Sequence, residues 1–244
     1  MALPGRTGLV ATSKQRPSQR AVQAPTDSPA MNDIQDAYDR WSDSYDDAPN
    51  PTRDLAHTVL RGLLPARRLD GLDVAELGPG TGAITEWLSA HAARVVAMDD
   101  SARMLARARE RIKAPHVSFV KHDITAPWPV DSHAFDLVTG ALVLEHVQDL
   151  KPVFAQARRA LRPAGMLLVC EFHPFRQQAG KQACFVDPKT QRLRRIPAFH
   201  HDLSELVRAG LEAGFTLRQL DEWRDDGAEK TESPRLVSAV FQAR

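Results

Sequence analysis

From Leu72 to Phe172 short apolar runs alternate with helix-patterned segments, and this alternation restricts the possible folds more than any other feature. "LDVAEL" has the pattern of a strand, Gly82 to Ala90 of a helix, "RVVAMD" of a strand and Ser101 to Ile112 of a helix. "VSFVK" follows as a third strand, "FDLVTGALVL" contains a fourth, "DLKPVFAQARRAL" suits a helix and "GMLLVCEF" a fifth strand. Strands joined through helices imply right-handed crossovers, so the expected class is α/β with a mostly parallel sheet covered on both faces. The rhythm stops after Phe172. Residues 173–201 are polar, basic and turn-rich, which predicts a small lid or insertion. "HDLSELVRAGLEAGF" then carries Asp202 as N-cap with Glu205 three places on, and "FTLRQLDEW" and "RLVSAVFQA" end the chain as two strands suited to antiparallel pairing.

Before the sheet, Ile34, Tyr38, Trp41 and Tyr45 share one face of a helix, "PNPT" interrupts it, and "TRDLAHTVLRGLL" starts another. Residues 31–65 are therefore expected to form a helical cap on a domain spanning 31–244. Residues 1–30 hold Pro4, Pro17, Pro25 and Pro29, several basic residues and no acid before Asp27, a composition expected of a disordered tail. A transit peptide has a similar acid-poor make-up, but the prolines break any long amphipathic helix. The 244 residues suffice to bury a core without staples, and the two cysteines, Cys170 and Cys184, form no CxxC pair. A reducing, cytoplasmic setting is expected. The net charge of +1 gives no electrostatic case for nucleic acid, and no apolar run reaches the ~18 residues of a membrane helix.

"DVAELGPGTG" places Gly78, Gly80 and Gly82 straight after the first strand. With Ala83 and an acid 21 residues beyond Gly78, Asp99, the turn also fits a dinucleotide-binding pattern. Pyrophosphate, however, needs free N–H groups and positive charge at the helix start. Pro79 removes one N–H, and negative charge accumulates at Glu76 in the first strand, Asp99 and Asp100 after the second and Asp123 after the third. A cationic, phosphate-free nucleoside suits this rim. S-adenosylmethionine meets the demand: its ribose diol can donate to Asp99 and its adenine amino group to Asp123.

"DVAELGPGTG", "VVAMDDSARML", "KHDI", "FDLVTGALVLEHV" and "ARRALRPAGMLLV" occur here in the order found in class I S-adenosylmethionine-dependent methyltransferases. The chain resembles the small-molecule branch, the methyltransferase type 11 group, which includes quinone C-methyltransferases and malonyl-carrier-protein O-methyltransferases. The resemblance spans about Asp73 to Glu171. It implies a Rossmann-like sheet of seven strands with an antiparallel last strand, and methyl transfer by in-line displacement to an O, N or C acceptor. Carried over by position, Glu76, Gly78, Gly80 and Gly82 line the methionine side, and Asp99 holds the ribose. Met104 packs near the adenine, Asp123 and Ile124 meet its edge, and Leu142 closes the pocket. Tyr45 and Arg53 are candidates for the cofactor carboxylate. "LRPAG" departs from the usual "LRPGG", a change expected to be tolerated at Ala164.

Each site residue also has a structural reading. Glu76 could cap the glycine turn, Asp123 the "DIT" loop, Met104 could be helix core, and Tyr38 and Trp41 simple packing. A base is needed only if the acceptor arrives protonated, and the candidates are His173, beyond the fifth strand, and His146 in "LEHV". His200 and His201 suit a loop, and the histidine spacing does not resemble a zinc site. "KTQRLRR" reads either as a solvated face or as a docking site for an acidic carrier protein or anionic substrate. Rival classes are a non-catalytic S-adenosylmethionine-binding module and a nicotinamide-dependent oxidoreductase. The position after the fourth strand lacks the (N/D)-P-P-(Y/F) box of base-modifying amino-methyltransferases.

Overall fold

The computed structural model describes residues 31–47, 49–229 and 231–244, so the tail expected at 1–30 lies outside the described residues. Two helices, α1 (Met31–Trp41) and α2 (Pro51–Leu63), precede the sheet. Then come β1 (Asp73–Leu77), α3 (Ala83–Ser89), β2 (Arg94–Asp99), α4 (Ala102–Arg111), β3 (Val117–Lys121) and β4 (Phe135–Ala141). A 3-10 turn, Leu144–His146, leads into α5 (Leu150–Ala160) and β5 (Leu161–Phe172). After β5 come α6 (Pro174–Gln178), the strands β6 (Cys184–Val186) and β7 (Leu193–Arg195), then α7 (Leu203–Glu212), β8 (Phe215–Trp223) and β9 (Leu236–Ala243).

Among the described residues seven strands form one sheet in the order β3-β2-β1-β4-β5-β9-β8. β1 to β5 pair in parallel, while β9 runs antiparallel to both β5 and β8. The expected architecture is present, with the last strand inserted beside β5 rather than at the edge. Period-two alternation divides neighbouring residues between the two faces. Ala75, Leu77, Met98 and Leu167 pack under α5 and α7, while Val74, Val95, Leu137 and Leu168 pack under α2 and α3. The capping box expected at Asp202 and Glu205 opens α7. In that helix Gly210 lies against Phe241, where an added Cβ would stand 2.3 Å from the ring.

The N-terminal segment departs from expectation. α1 stops at Trp41, and Tyr45 lies in the turn that follows. The Ser42 hydroxyl bonds back to Asp39 O, Ser44 N to Trp41 O and Asp47 N to Ser44 O, so the Ser/Asp run closes turns instead of extending the helix. α2 is also no simple cap. Its Ala56, Val59 and Leu60 belong to the core beneath the sheet. Within 173–201, β6 and β7 form an antiparallel hairpin, and Phe185 and Ile196 join Ile34, Ala37 and Trp41 in a separate cluster. Ala164 adopts φ 64°, a left-handed conformation that favours glycine.

Candidate active site

The carboxyl ends of β1, β2 and β4 open onto one cleft, as in other open α/β sheets. β1 delivers Glu76, and Gly78, Gly80 and Gly82 follow with φ of 62°, 55° and 86°. A Cβ on Gly80 would meet nothing within 4 Å, so this turn leaves room for a ligand against bare backbone. Glu76 is 3% exposed, and its Oε2 has no hydrogen-bond partner among the described residues. Burial raises its carboxyl to about 8. Asp99, at the end of β2, accepts from Gly80 N at 3.0 Å through Oδ2 and from Ser101 N at 2.8 Å through Oδ1. Burial pushes it to about 6, partly offset by these two amides.

Beyond Asp99 the cleft is lined by Met104, His122, Asp123, Ile124, Val143 and His146, with Ile34, Tyr38 and Tyr45 above. Asp123 combines its two expected readings: Oδ1 closes the turn through Thr125 N at 2.8 Å and Thr125 Oγ1 at 2.7 Å, while the residue also lines the cleft. Met104 is likewise both buried in α4 and part of the wall. Leu142, in the cleft wall, holds φ 54°, an unfavourable conformation for leucine.

The α1 segment is strapped over this opening by polar contacts missed in the sequence. Asp39 accepts from Ser101 Oγ, Asp43 pairs with Arg103 and Arg107, and Asp46 bridges Thr81 Oγ1 at 3.0 Å and Arg111 at 2.8 Å. Arg53 donates to Tyr45 O at 2.7 Å and its guanidinium lies 5.6 Å from the Tyr45 ring centre. It lines a smaller cavity with Glu76, Gly78 and Gly80, contiguous with the cleft. A further cavity, of about 600 Å³, lies between α1, Glu145 and the β6–β7 hairpin. Tyr45 and Leu142 line all three spaces, and Tyr38 lines the cleft and the larger cavity.

The two histidine candidates separate. His173 is fully buried and lines none of these three spaces: Nδ1 accepts from Phe175 N and Nε2 donates to Glu222 at 3.2 Å. It caps α6, which corrects its expected position facing the acceptor. His146 does line the cleft. Its Nδ1 donates to Pro197 O at 3.0 Å, so Nε2 is the acceptor for the Tyr38 hydroxyl at 2.7 Å. Burial depresses the ring to about 4, leaving it neutral at pH 7. Its neighbour Glu145 went unnoticed in the sequence. It is 7% exposed, has an unpartnered Oε2, and is raised by burial to about 7. The adjacency of Glu145 and His146 just after β4 was the available signal.

Comparison with known proteins supports one family. Residues 75–169 match a family model described as a methyltransferase domain. An uncharacterized methyltransferase of Emericella nidulans is 29% identical over 236 residues, covering 82% of this chain and 80% of the relative. A solved DhpI-SAH complex superposes with TM-score 0.68 at 26% identity, covering 87% of this chain and 96% of that one. The chain is a class I S-adenosylmethionine-dependent methyltransferase. A demethylmenaquinone methyltransferase of Tropheryma whipplei is 32% identical over 158 residues, covering 61% of this methyltransferase and 65% of that relative, less than two thirds of its length.

The methyltransferase's own residues fit the methyl donor. The orphaned Glu76 oxygen is a buried acceptor lacking a donor such as an ammonium, the open face of Gly80 admits a ligand, and among the described residues no Lys or Arg lines the Asp99 end of the cleft. Among the described residues no cluster could hold a metal, and no helix is long and apolar enough to cross a membrane.

Proposed function

We propose that this methyltransferase transfers a methyl group from S-adenosylmethionine, held in the cleft and its Glu76 annex, to a small molecule in the larger cavity. The observation carrying this reading is the meeting of the three spaces at Tyr45 and Leu142. Glu76, Gly78, Gly80, Tyr45 and Arg53 hold the methionine portion, whereas Gly82, expected beside them, lines none of the three spaces and faces Ala108 and Ile112 instead. Asp99 takes the ribose, and Met104, Asp123, Ile124 and Leu142 enclose the adenine side. Bound there, S-adenosylmethionine supplies a methyl group on sulfonium, whose departure as a neutral thioether needs no acid.

The protein's main work is then alignment, worth roughly 7–11 kcal/mol in well-oriented model reactions. An acceptor that must lose a proton reaches His146 by way of the Tyr38 hydroxyl. Aromatic walls favour a small, partly apolar acceptor, and a cytoplasmic site of action belongs to the same proposal. A carrier-protein partner rests on the exposed Lys189, Arg192 and Arg195, since Arg194 is paired with Asp36 at 2.9 Å. An Enterobacter lignolyticus relative named malonyl-[acyl-carrier protein] O-methyltransferase is 34% identical over 166 residues, but the larger cavity's described lining residues include no cation for a carboxylate.

Calorimetry tests the cofactor assignment. Asp99→Asn keeps an oxygen for one of the two backbone amides, turns an NH2 toward the other and loses the charge, and is expected to weaken S-adenosylmethionine binding by about tenfold or more, in the range of a charge-assisted hydrogen bond. An unchanged dissociation constant in a folded variant removes the ribose assignment.

A further inference from the structure

The larger cavity, if it holds the acceptor as proposed for this methyltransferase, selects for charge, because its chemistry is one-sided. Its walls are aromatic: Tyr38, Trp41, Tyr45, Phe172 and Phe185. Trp41 stacks on Phe185 with centroids 5.2 Å apart and planes 8° from parallel, and Tyr45 meets Trp41 edge-on at 4.7 Å. Asp47 and Glu145 are its carboxylates, and its described lining residues include no Lys, Arg or His. Glu145 is buried with one oxygen unpartnered, a costly state that a cationic ligand would relieve. Aromatic faces attract cations as well. An anionic acceptor would instead meet Glu145 with no compensating charge in the wall.

We propose that the acceptor is an organic amine, bound as an ammonium ion among the aromatic side chains with Glu145 as its counter-ion, and that the methyl group goes to nitrogen. Glu145 Oε1 stands 3.9 Å from His146 Nε2, so the same carboxylate faces the ligand's charge and the proton's destination. The ammonium N–H passes one proton to the Tyr38 oxygen as the Tyr38 proton moves to His146 Nε2, leaving a neutral amine and an imidazolium beside Glu145. The amine lone pair then bonds to the methyl carbon while the carbon–sulfur electron pair returns to sulfur. The products are a methylated ammonium and a neutral thioether, and the imidazolium afterwards releases its proton to solvent.

The test titrates benzylammonium, benzyl alcohol and benzoate into the full chain, with and without saturating S-adenosylhomocysteine. Benzylammonium is expected to bind at least about tenfold tighter than either analogue, equivalent to 1.4 kcal/mol. Glu145→Gln should abolish that preference without changing S-adenosylhomocysteine affinity. Val186→Lys, at a rim position 55% exposed, should reverse it toward benzoate without disturbing the core. Equal or tighter binding of benzoate or benzyl alcohol overturns the amine assignment, as does a preference that survives both substitutions. Should Glu145→Gln fail to fold, Val186→Lys decides alone. Failure of S-adenosylhomocysteine to bind, with the amine preference intact, counts against the cofactor reading and not against this one.

Discussion

Glu76 shows how one buried carboxyl links stability to ligand binding. Its folded value is about 8 against an ordinary 4.5, so the folded protein binds its proton more tightly than the unfolded chain. The stabilisation is therefore complete below about 4.5 and lost as pH rises through 8. Glu145, at about 7, acts in the same direction. His57 and His146, both lowered by burial to about 4, oppose it only below about 6.5. The ligand-free melting temperature is expected to fall between pH 6.5 and 8, and Glu76→Gln should flatten part of that slope in scanning calorimetry. A slope unchanged by the substitution would mean that Glu76 does not titrate in this window. Asp99 differs in what its position reveals. Its place after the second strand was legible, but its two bonds to Gly80 and Ser101 were not, because they depend on how closely the turn approaches α4. Asp99→Ala would remove both scaffold acceptors as well as the ligand contact, whereas the isosteric variant keeps one of them, which makes it the sharper test.

At the scale of elements, α7 depends on a close approach. Gly210 carries no side chain where one would strike Phe241, itself packed edge-on against Phe154 with centroids 5.6 Å apart. Gly210→Ala gains about 1 kcal/mol of helix propensity, but overpacking costs about 1–3 kcal/mol. The second effect should win, giving a net loss of up to about 2 kcal/mol in urea unfolding; a stabilised variant would show that Phe241 moves aside freely. Both α7 and its capping box were visible in the local pattern because Asp202 and Glu205 act on their own helix. The sequence pattern overextends α1 for the complementary reason. Its aromatic spacing continues to Tyr45, yet Ser42 and Ser44 close turns whose geometry the hydrophobic rhythm does not record.

Across the molecule, the sheet is held by two apolar layers, whereas α1 meets the body through a small aromatic cluster and a row of acid–base contacts. The Asp43 pairs are exposed and worth little individually. Openings of α1 should therefore cost less than openings of β1 or β4. Saturating S-adenosylhomocysteine is expected to slow amide exchange most in α1 and in the turn carrying Tyr45, with little change in β8. Uniform slowing across the sheet would show that α1 does not move separately.

The order of strands and helices, the glycine turn, and the acids in β1, at the end of β2 and after β3 are local or periodic properties, and the amino-acid order alone determined them. Only the folded chain decided that His173 caps a helix, that Tyr38 donates to His146, and that Glu145 lies in an aromatic cavity beside the cleft. Those relations join residues far apart in sequence, and the packing of α1 and the β6–β7 hairpin, which no periodicity encodes, brings them together.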